Sequence, residues 1–275
     1  MPELPEVETV KNGLKTKILN KKITGCKVLY DGIIAYPDKE KFIKEITNQT
    51  IFDIQRRGKF LIFDLDKYYL VSHLRMEGKY FIKKTAEPLN KHDHVVFVLN
   101  ETEELRYNDT RKFGKMHLVK KDELDLTPLS KLGLEPWDEL LTPKYLKEKL
   151  NKNKAIKTLL LDQSIITGIG NIYADEILFL SRIHPEKKGN KLTKKNCEDI
   201  IYNTKKVLEK AIEAGGTTIH TYASVDGITG RFQQELLVHN QKNIHCTNCQ
   251  EKIVKIVVNG RGTYYCPKCQ KNKQV

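Results

Sequence analysis

Four cysteines near the carboxyl end constrain the fold of this chain more than any other feature. They form two Cys-x-x-Cys pairs, Cys246/Cys249 and Cys266/Cys269, separated by sixteen residues. This spacing is typical of a tetrahedral zinc site with thiolate ligands. Four thiolates leave no coordination position for water or substrate, so we predict one structural Zn²⁺. A redox dithiol pair is the alternative, and it is disfavoured because two pairs at zinc spacing are present.

The segment between the cysteine pairs has the pattern of a β-hairpin. Ile253–Val258 reads as a strand, Asn259-Gly260 as a tight turn and Thr263–Cys266 as the return strand. So small a hairpin needs the metal for stability. From residue 241 to the end there are seven Lys or Arg and one acid. Arg261, just past the turn, is therefore predicted to contact DNA, the alternative being a solvated turn arginine.

The charge of the whole chain favours a polyanionic partner. Its 275 residues contain 48 Lys and Arg against 35 acids, a formal net charge of +13. Nucleic acid is the commonest such partner, although membrane surfaces and anionic metabolites compete. No apolar run approaches the ~20 residues that span a bilayer, and the charged first residues do not resemble a secretory signal. We therefore expect a cytoplasmic protein without a membrane segment or disulfides.

The order of predicted elements indicates an α+β chain with two domains. Residues 1 to about 130 read mostly as short strands, including Phe60–Leu65 and Tyr68–Leu74, which suggests an antiparallel sandwich or barrel. Three Pro-containing breaks follow at residues 126–143, and helical periodicity begins after them. The Gly-, Thr- and Ser-rich residues 215–234 read as a long functional loop, the alternative being a disordered surface excursion.

The first ten residues, MPELPEVETV, allow two interpretations. Residues 6–14 have the periodicity of an amphipathic helix, and Pro and Glu suit the first turn of a helix. The alternative is that the chain terminus is itself a chemical reagent. Ten residues alone favour the capped helix.

The two ends of the sequence together resemble bacterial formamidopyrimidine-DNA glycosylases. The motifs RRGKFL, SHLRMEGK, KHDHV, NDTRKFG, GIGNIYADEILF and GGTT lie between them in the order of that family. The resemblance implies an N-terminal antiparallel β-sandwich with a leading helix, a helix–two-turn–helix domain and a zinc-finger hairpin, with DNA between the two domains. We expect the domain limits 1–134, 144–235 and 236–275, with a linker at 135–143 and a lesion-recognition loop at 215–234.

The resemblance also implies a role for particular residues. Pro2, exposed when Met1 is removed, corresponds to the nucleophile, and Glu3 to the acid/base beside it. Lys59 and Arg261 correspond to residues that bind phosphate or DNA and assist elimination. The remaining DNA-binding positions are His92, Arg111, Lys152 and Asn171, with Met76, Arg111 and Phe113 as the wedge that replaces an extruded base. Core packing is the alternative for Met76 and Phe113, and a strand-edge lysine for Lys59.

The implied activity is excision of oxidised purines from double-stranded DNA, followed by cleavage of the backbone. We expect a monomer that associates with the bacterial nucleoid through DNA. A non-enzymatic zinc-ribbon regulator would also fit the charge and the cysteines, but not the Pro-Glu terminus. The related endonuclease VIII type, directed to oxidised pyrimidines, is disfavoured because Leu4 stands where that branch has glycine.

Overall fold

A computed structural model describes residues 1–217 and 230–272. The chain forms two compact units, one of residues 1–130 with the described part of 215–230, the other of residues 131–214 and 231–272. Residues 218–229, most of the expected lesion-recognition loop, lie outside the described residues. Within the described residues, no helix combines the length and the apolar character needed to cross a bilayer. The domain limits given above remain a prediction.

The first unit begins with helix α1, Leu4–Ile18. Its apolar residues recur every three or four positions, so one face is buried; these are Leu4, Val7, Val10, Leu14 and Ile18. Pro5 lies in the first turn, where a missing N–H costs nothing, and lysines occupy the last turn. The predicted leading helix is confirmed, and it extends beyond residues 6–14 in both directions.

Nine strands follow in the first unit. They are β1 Gly25–Val28, β2 Ile34–Tyr36, β3 Asp53–Arg57, β4 Phe60–Asp64, β5 Tyr68–His73, β6 Lys79–Lys84, β7 Asp93–Val98, β8 Glu103–Asn108 and β9 Lys115–Lys120. One sheet has the order β1-β7-β8-β6 and the other β2-β9-β5-β4-β3. All neighbouring strands are antiparallel except β2 and β9, which are parallel.

Aromatic residues fill the space between the two sheets. The ring of Phe63 in β4 lies 5.6 Å from that of Tyr80 in β6, which lies 5.2 Å from that of Tyr107 in β8. The Tyr80 hydroxyl donates to Ser72 Oγ in β5 at 2.8 Å. One shared core therefore joins the sheets, as expected for a sandwich.

A second helix in the first unit was not predicted from the sequence. Helix α2, Lys39–Ile46, buries Phe42 and Ile46 in the core. Asp38 caps it by accepting the N–H of Lys41 at 2.9 Å. At eight residues the helix is too short for periodicity to separate it from the surrounding strands, although the Asp38 cap was visible in the sequence.

The second unit is built from helices. They are α3 Pro143–Leu150, α4 Ile156–Leu160, α5 Asn171–Leu180 and α6 Lys194–Glu213. Thr142 and Thr193 cap α3 and α6 by accepting backbone N–H groups. Pro143, predicted as a break, is the first residue of α3, a position that tolerates proline. The change from strands to helices at this proline is confirmed.

The unit ends with a two-stranded hairpin of β10, Val254–Val258, and β11, Arg261–Tyr265. Asn259 and Gly260 have φ values of 47° and 73°, so both residues have the positive φ of a type I′ turn. The predicted hairpin is confirmed. The return strand begins at Arg261 rather than Thr263, because pairing starts directly after the turn.

Candidate active site and nucleic-acid interface

The start of α1 is fixed by a buried carboxylate that the sequence analysis did not identify. The N–H of Glu3 donates to Glu6 Oε2 at 2.8 Å. The other oxygen of Glu6 accepts the N–H and the hydroxyl of Thr217 at 2.7 and 3.0 Å. Gly216 has φ +78° and lies so close that a Cβ would be 2.8 Å from Glu6 Oε1. Pro2 and Glu3 are both buried here.

Lys59 lies in the β3–β4 turn and is only 5% exposed. The preceding strand is tied to α1 by the ion pair between Arg56 Nε and Glu8 Oε2, at 2.7 Å. Arg56 also donates to the carbonyl of Gly58 at 3.1 Å. Burial raises the pKa of Glu8, but Lys11 and Arg56 outweigh it and hold that pKa below its ordinary value. Lys59 is thus carried by a turn anchored to α1.

His73, at the end of β5, is a buried neutral imidazole. Burial, together with the charges of Arg75 and Lys59, lowers its pKa to about 3. Its ring stands edge-on to Phe60 at 4.4 Å. Its Nδ1 accepts the N–H of Arg75 at 2.9 Å, and Arg75 has a φ of 54°. His73 therefore supports the turn in which Met76 lies half-buried.

The other predicted DNA contacts of the first unit lie in loops. Arg111 and Phe113 follow β8, and the guanidinium carbon of Arg111 lies 4.7 Å from the centre of the Phe113 ring. Phe113 is 49% exposed, so core packing does not explain it. His92 is half-buried just before β7, and its carbonyl accepts the N–H of Asp109 at 3.0 Å.

The second unit brings Asn171 and the hairpin together. Asn171 begins α5, and its Nδ2 donates to the carbonyl of Gly262 at 3.0 Å, next to Arg261. Arg261 is exposed and pairs with Val258 across the turn. Lys152 is exposed in the connection after α3.

A buried ion pair fixes the same hairpin to α5. Lys157 Nζ lies 2.7 Å from Asp175 Oδ1, and both side chains are fully buried. Lys157 also donates to Thr263 Oγ1 at 2.9 Å. The second oxygen of Asp175 accepts the N–H of Tyr264 at 3.1 Å and contacts His239 Nδ1 at 2.7 Å. Helix α5 therefore positions the strand that begins with Arg261.

The four cysteines form a cluster that fits a zinc ion. Their sulfur atoms all lie within 4.8 Å of one another. The sulfur atoms are 3.8 Å apart in Cys246 and Cys269, 3.4 Å apart in Cys249 and Cys266 and 3.5 Å apart in Cys249 and Cys269. A tetrahedron with Zn–S bonds of about 2.3 Å has edges of about 3.8 Å. The N–H of Glu251 and the neighbouring cysteines lower the pKa of Cys249 to about 7, whereas burial raises the pKa values of Cys266 and Cys269.

Three family models match the chain in succession. They are described as the formamidopyrimidine-DNA glycosylase N-terminal domain (residues 1–116), the formamidopyrimidine-DNA glycosylase H2TH domain (132–223) and the zinc finger found in FPG and IleRS (245–272). The formamidopyrimidine-DNA glycosylase of Oceanobacillus iheyensis is 49% identical over 100% of this chain and 99% of its own. That of Bacillus subtilis is 48% identical over 99% and 100%.

The chain belongs to the formamidopyrimidine-DNA glycosylase family. Solved structures agree: a Lactococcus lactis mutant in complex with Fapy-dG-containing DNA matches with a TM-score of 0.93 and 42% identity, covering 98% of this chain and 100% of that one. The L. lactis protein with DNA containing an abasic site matches equally well. The predicted family, fold class, enzyme class and structural zinc are confirmed. The roles of individual residues remain predictions.

Three carboxylates that organise the formamidopyrimidine-DNA glycosylase fold were not identified from the sequence: Glu6, Asp109 and Asp175. Glu6 and Asp175 contact residues far along the chain, so no local pattern shows their function. Asp109 stands in NDTRKFG before a turn, and Asp in such a position commonly accepts backbone N–H groups of the next residues. That signal was present in the sequence.

Proposed function

We propose that this DNA glycosylase of base-excision repair removes oxidised purines from double-stranded DNA through a covalent Schiff base and then cleaves the backbone by β,δ-elimination. The observation that carries the proposal is the arrangement at the start of α1. Pro2 and Glu3 are adjacent and buried, and the backbone of Glu3 is held by Glu6. Glu3 is the N-cap residue of α1 and forms a capping box with Glu6, which fixes its carboxylate next to Pro2.

Removal of Met1 would leave the secondary amine of Pro2 as the chain terminus. An α-amino group has a reference pKa of about 7.7–8.0, against about 10.4 for lysine, so far more of it is neutral at pH 7. Its lone pair forms a bond to the sugar C1′, the N-glycosidic bond breaks, and the damaged base leaves with the electron pair of that bond and takes up the proton that the proline nitrogen releases. Glu3 protonates O4′ as the sugar ring opens, which gives an iminium ion.

The iminium ion makes the following eliminations possible. A secondary amine yields an iminium without an N–H, so it stays cationic and withdraws electrons from C2′. Loss of the C2′ proton then expels the 3′ phosphate, and loss of the C4′ proton expels the 5′ phosphate. Each step moves one proton to a base and one electron pair to a phosphate. Glu3 is the proposed base, with Lys59 and Arg261 as the cations that stabilise the departing phosphates.

The remaining predicted residues are assigned to DNA binding. His92, Arg111, Lys152 and Asn171 would contact the backbone, which is supported by their position in loops or at the start of a helix. Met76, Arg111 and Phe113 would fill the space of the extruded base, and the stacking of Arg111 on the exposed Phe113 supports this. The zinc would hold the hairpin that presents Arg261 and takes no part in the chemistry. A monomer in the bacterial cytoplasm remains our prediction.

Borohydride trapping tests the proposal. The protein is incubated with a duplex carrying 8-oxoguanine opposite cytosine, reduced, and analysed by mass spectrometry for an adduct at Pro2. Glu3→Gln should still bind the lesion duplex but excise the base at least a hundredfold more slowly, a loss within the range of general acid–base catalysis, about 10²–10⁴-fold.

A chain whose amine is blocked by an uncleaved N-terminal tag should form no adduct, while the same tag after cleavage restores it. Full activity of the blocked chain would exclude the proline mechanism. A parallel duplex with an oxidised pyrimidine tests the preference for purines.

A further inference from the structure

Four consecutive backbone N–H groups converge on one residue, Asp109, which is fully buried. Its Oδ1 accepts the N–H of Arg111 at 2.9 Å, and its carbonyl accepts that of Lys112 at 3.3 Å. Its Oδ2 accepts those of Phe113 and Gly114 at 2.9 and 2.8 Å. Residues 109–114, which we call the wedge loop, therefore fold around this carboxylate.

Asp109 also joins the wedge loop to the segment that contains His92. Its own N–H donates to the carbonyl of His92 at 3.0 Å. Its carbonyl lies 2.8 Å from Nε2 of the buried His94. Because a carbonyl can only accept a hydrogen bond, this Nε2 carries the hydrogen and donates it. The positions of two predicted DNA-binding loops thus depend on the same residue.

A second tie runs from Asp109 to the turn of Met76. The hydroxyl of Tyr107, on a fully buried ring, lies 3.4 Å from Asp109 Oδ2. Gly78 and Gly114 approach this hydroxyl so closely that a Cβ on either would overlap it. Gly78 closes the Met76 turn by donating its N–H to the carbonyl of Leu74. The phenol therefore lies between the Met76 turn and the wedge loop.

We propose that Asp109 is a positioning residue that, with Tyr107, holds Met76, Arg111 and Phe113 in the arrangement that fills the space of an extruded base. The inference rests on the proposed function and adds to it the residue on which extrusion depends. Asp109 is buried, so it acts through the loop rather than on DNA.

The physical reason is the cost of ordering an exposed loop. Arg111, Lys112 and Phe113 are exposed. The φ of Lys112 is 58°, which is unfavourable for any residue other than glycine. Without Asp109 this backbone would relax, and binding would have to order it again. Side chains that replace a base must be held rigidly. The free-energy cost of ordering the loop should therefore slow only the reaction in which a base has to leave the stack.

The test compares two substrates in Asp109→Asn, Tyr107→Phe and the wild-type chain. One substrate is a duplex with 8-oxoguanine opposite cytosine, in which the base must be extruded. The other is a single strand with an abasic site, in which no base must be extruded. The single-turnover rate of adduct formation is measured for each, and the ratio of the two rates is the readout.

Glu104→Gln is the matched control, because Glu104 is a buried carboxylate in β8, the strand that leads into Asp109, and it pairs with Arg106 instead of the wedge loop. Unfolding temperature and zinc content are recorded for every variant. A general loss of stability would lower both rates together and leave the ratio unchanged.

Asp109→Asn should lower the ratio by about tenfold. The amide keeps one oxygen and replaces the other by an NH2 group that cannot accept, so at least one hydrogen bond to a charged group is lost. Tyr107→Phe should lower it less, and Glu104→Gln should not change it. An unchanged ratio in Asp109→Asn would overturn the inference. A wild-type chain that processes neither substrate would instead overturn the proposed function.

Discussion

Single buried residues determine the geometry of the exposed ones in this protein. Glu6 fixes the backbone beside Pro2, Asp109 fixes the loop of Arg111 and Phe113, and His73 supports the turn of Met76. Each acts as an acceptor for backbone N–H groups, and an acceptor that is buried and satisfied holds its partners in one conformation. The side chains proposed to react or to bind DNA are therefore positioned by residues that do not themselves reach the surface.

His73 should make stability depend on pH in a defined window. Its pKa falls from 6.5 when unfolded to about 3 when folded, so the unfolded chain binds more protons between these values. The stability contributed by the neutral imidazole is complete above pH 6.5 and is lost as the pH falls toward 3, by up to about 1.4 kcal/mol per pH unit.

Urea unfolding at pH 7 and pH 5 measures this effect. The drop in the free energy of unfolding between the two pH values should be smaller in His73→Gln than in the wild-type chain. His245→Gln, at an exposed histidine, should show the wild-type drop. Equal drops in His73→Gln and wild type would show that His73 is not buried as a neutral group.

At the scale of elements, the sequence predicted those parts of the fold whose contacts join residues close together in the chain. The zinc hairpin was predictable because ligands, turn and strands lie within 24 consecutive residues, 246–269. Strands β4 and β5 were predictable from two apolar runs split by Asp66-Lys67. Helix α2 was missed because it is short, and the pairing of Glu6 with Thr217 was missed because 211 residues separate them.

The hairpin is a single element that is held in two places, by the thiolates at its base and by α5 near Arg261. Cys249→Ser should therefore lower the zinc content below one ion per chain and weaken binding to the lesion duplex by about tenfold, or 1.4 kcal/mol. Metal analysis and a binding titration at fixed salt measure the two effects.

Cys26→Ser is the control for this change, because Cys26 lies in β1, outside the cluster. It should retain zinc and affinity. At saturating DNA, Cys249→Ser should still form the borohydride adduct, because the metal takes no part in the chemistry. Full zinc occupancy in Cys249→Ser would show that the ligand assignment is wrong.

At the scale of the whole molecule, the phosphate contacts proposed for Arg111, Lys152 and Arg261 should make DNA binding strongly dependent on salt. Release of counterions gives a slope of log affinity against log salt of about −0.9 for each phosphate that is neutralised. Lys152→Ala should make this slope shallower by about 0.9. Titrations at several salt concentrations measure it.

Lys44→Ala removes the same charge from the exposed surface of α2 and serves as the control. It should leave the slope unchanged, because a general change of net charge does not remove a phosphate contact. If both variants gave the wild-type slope, Lys152 would be excluded from the DNA interface.

The contact between Glu6 and Thr217 has a consequence for biosynthesis. Helix α1, which follows Pro2, is synthesised well before Thr217, but two donors to its buried carboxylate belong to that residue, 211 positions later. The first unit is therefore not a continuous segment of the chain, and it cannot complete its folding until most of the chain has been translated. A graft of residues 1–130 onto another protein would separate the proposed nucleophile from part of its support.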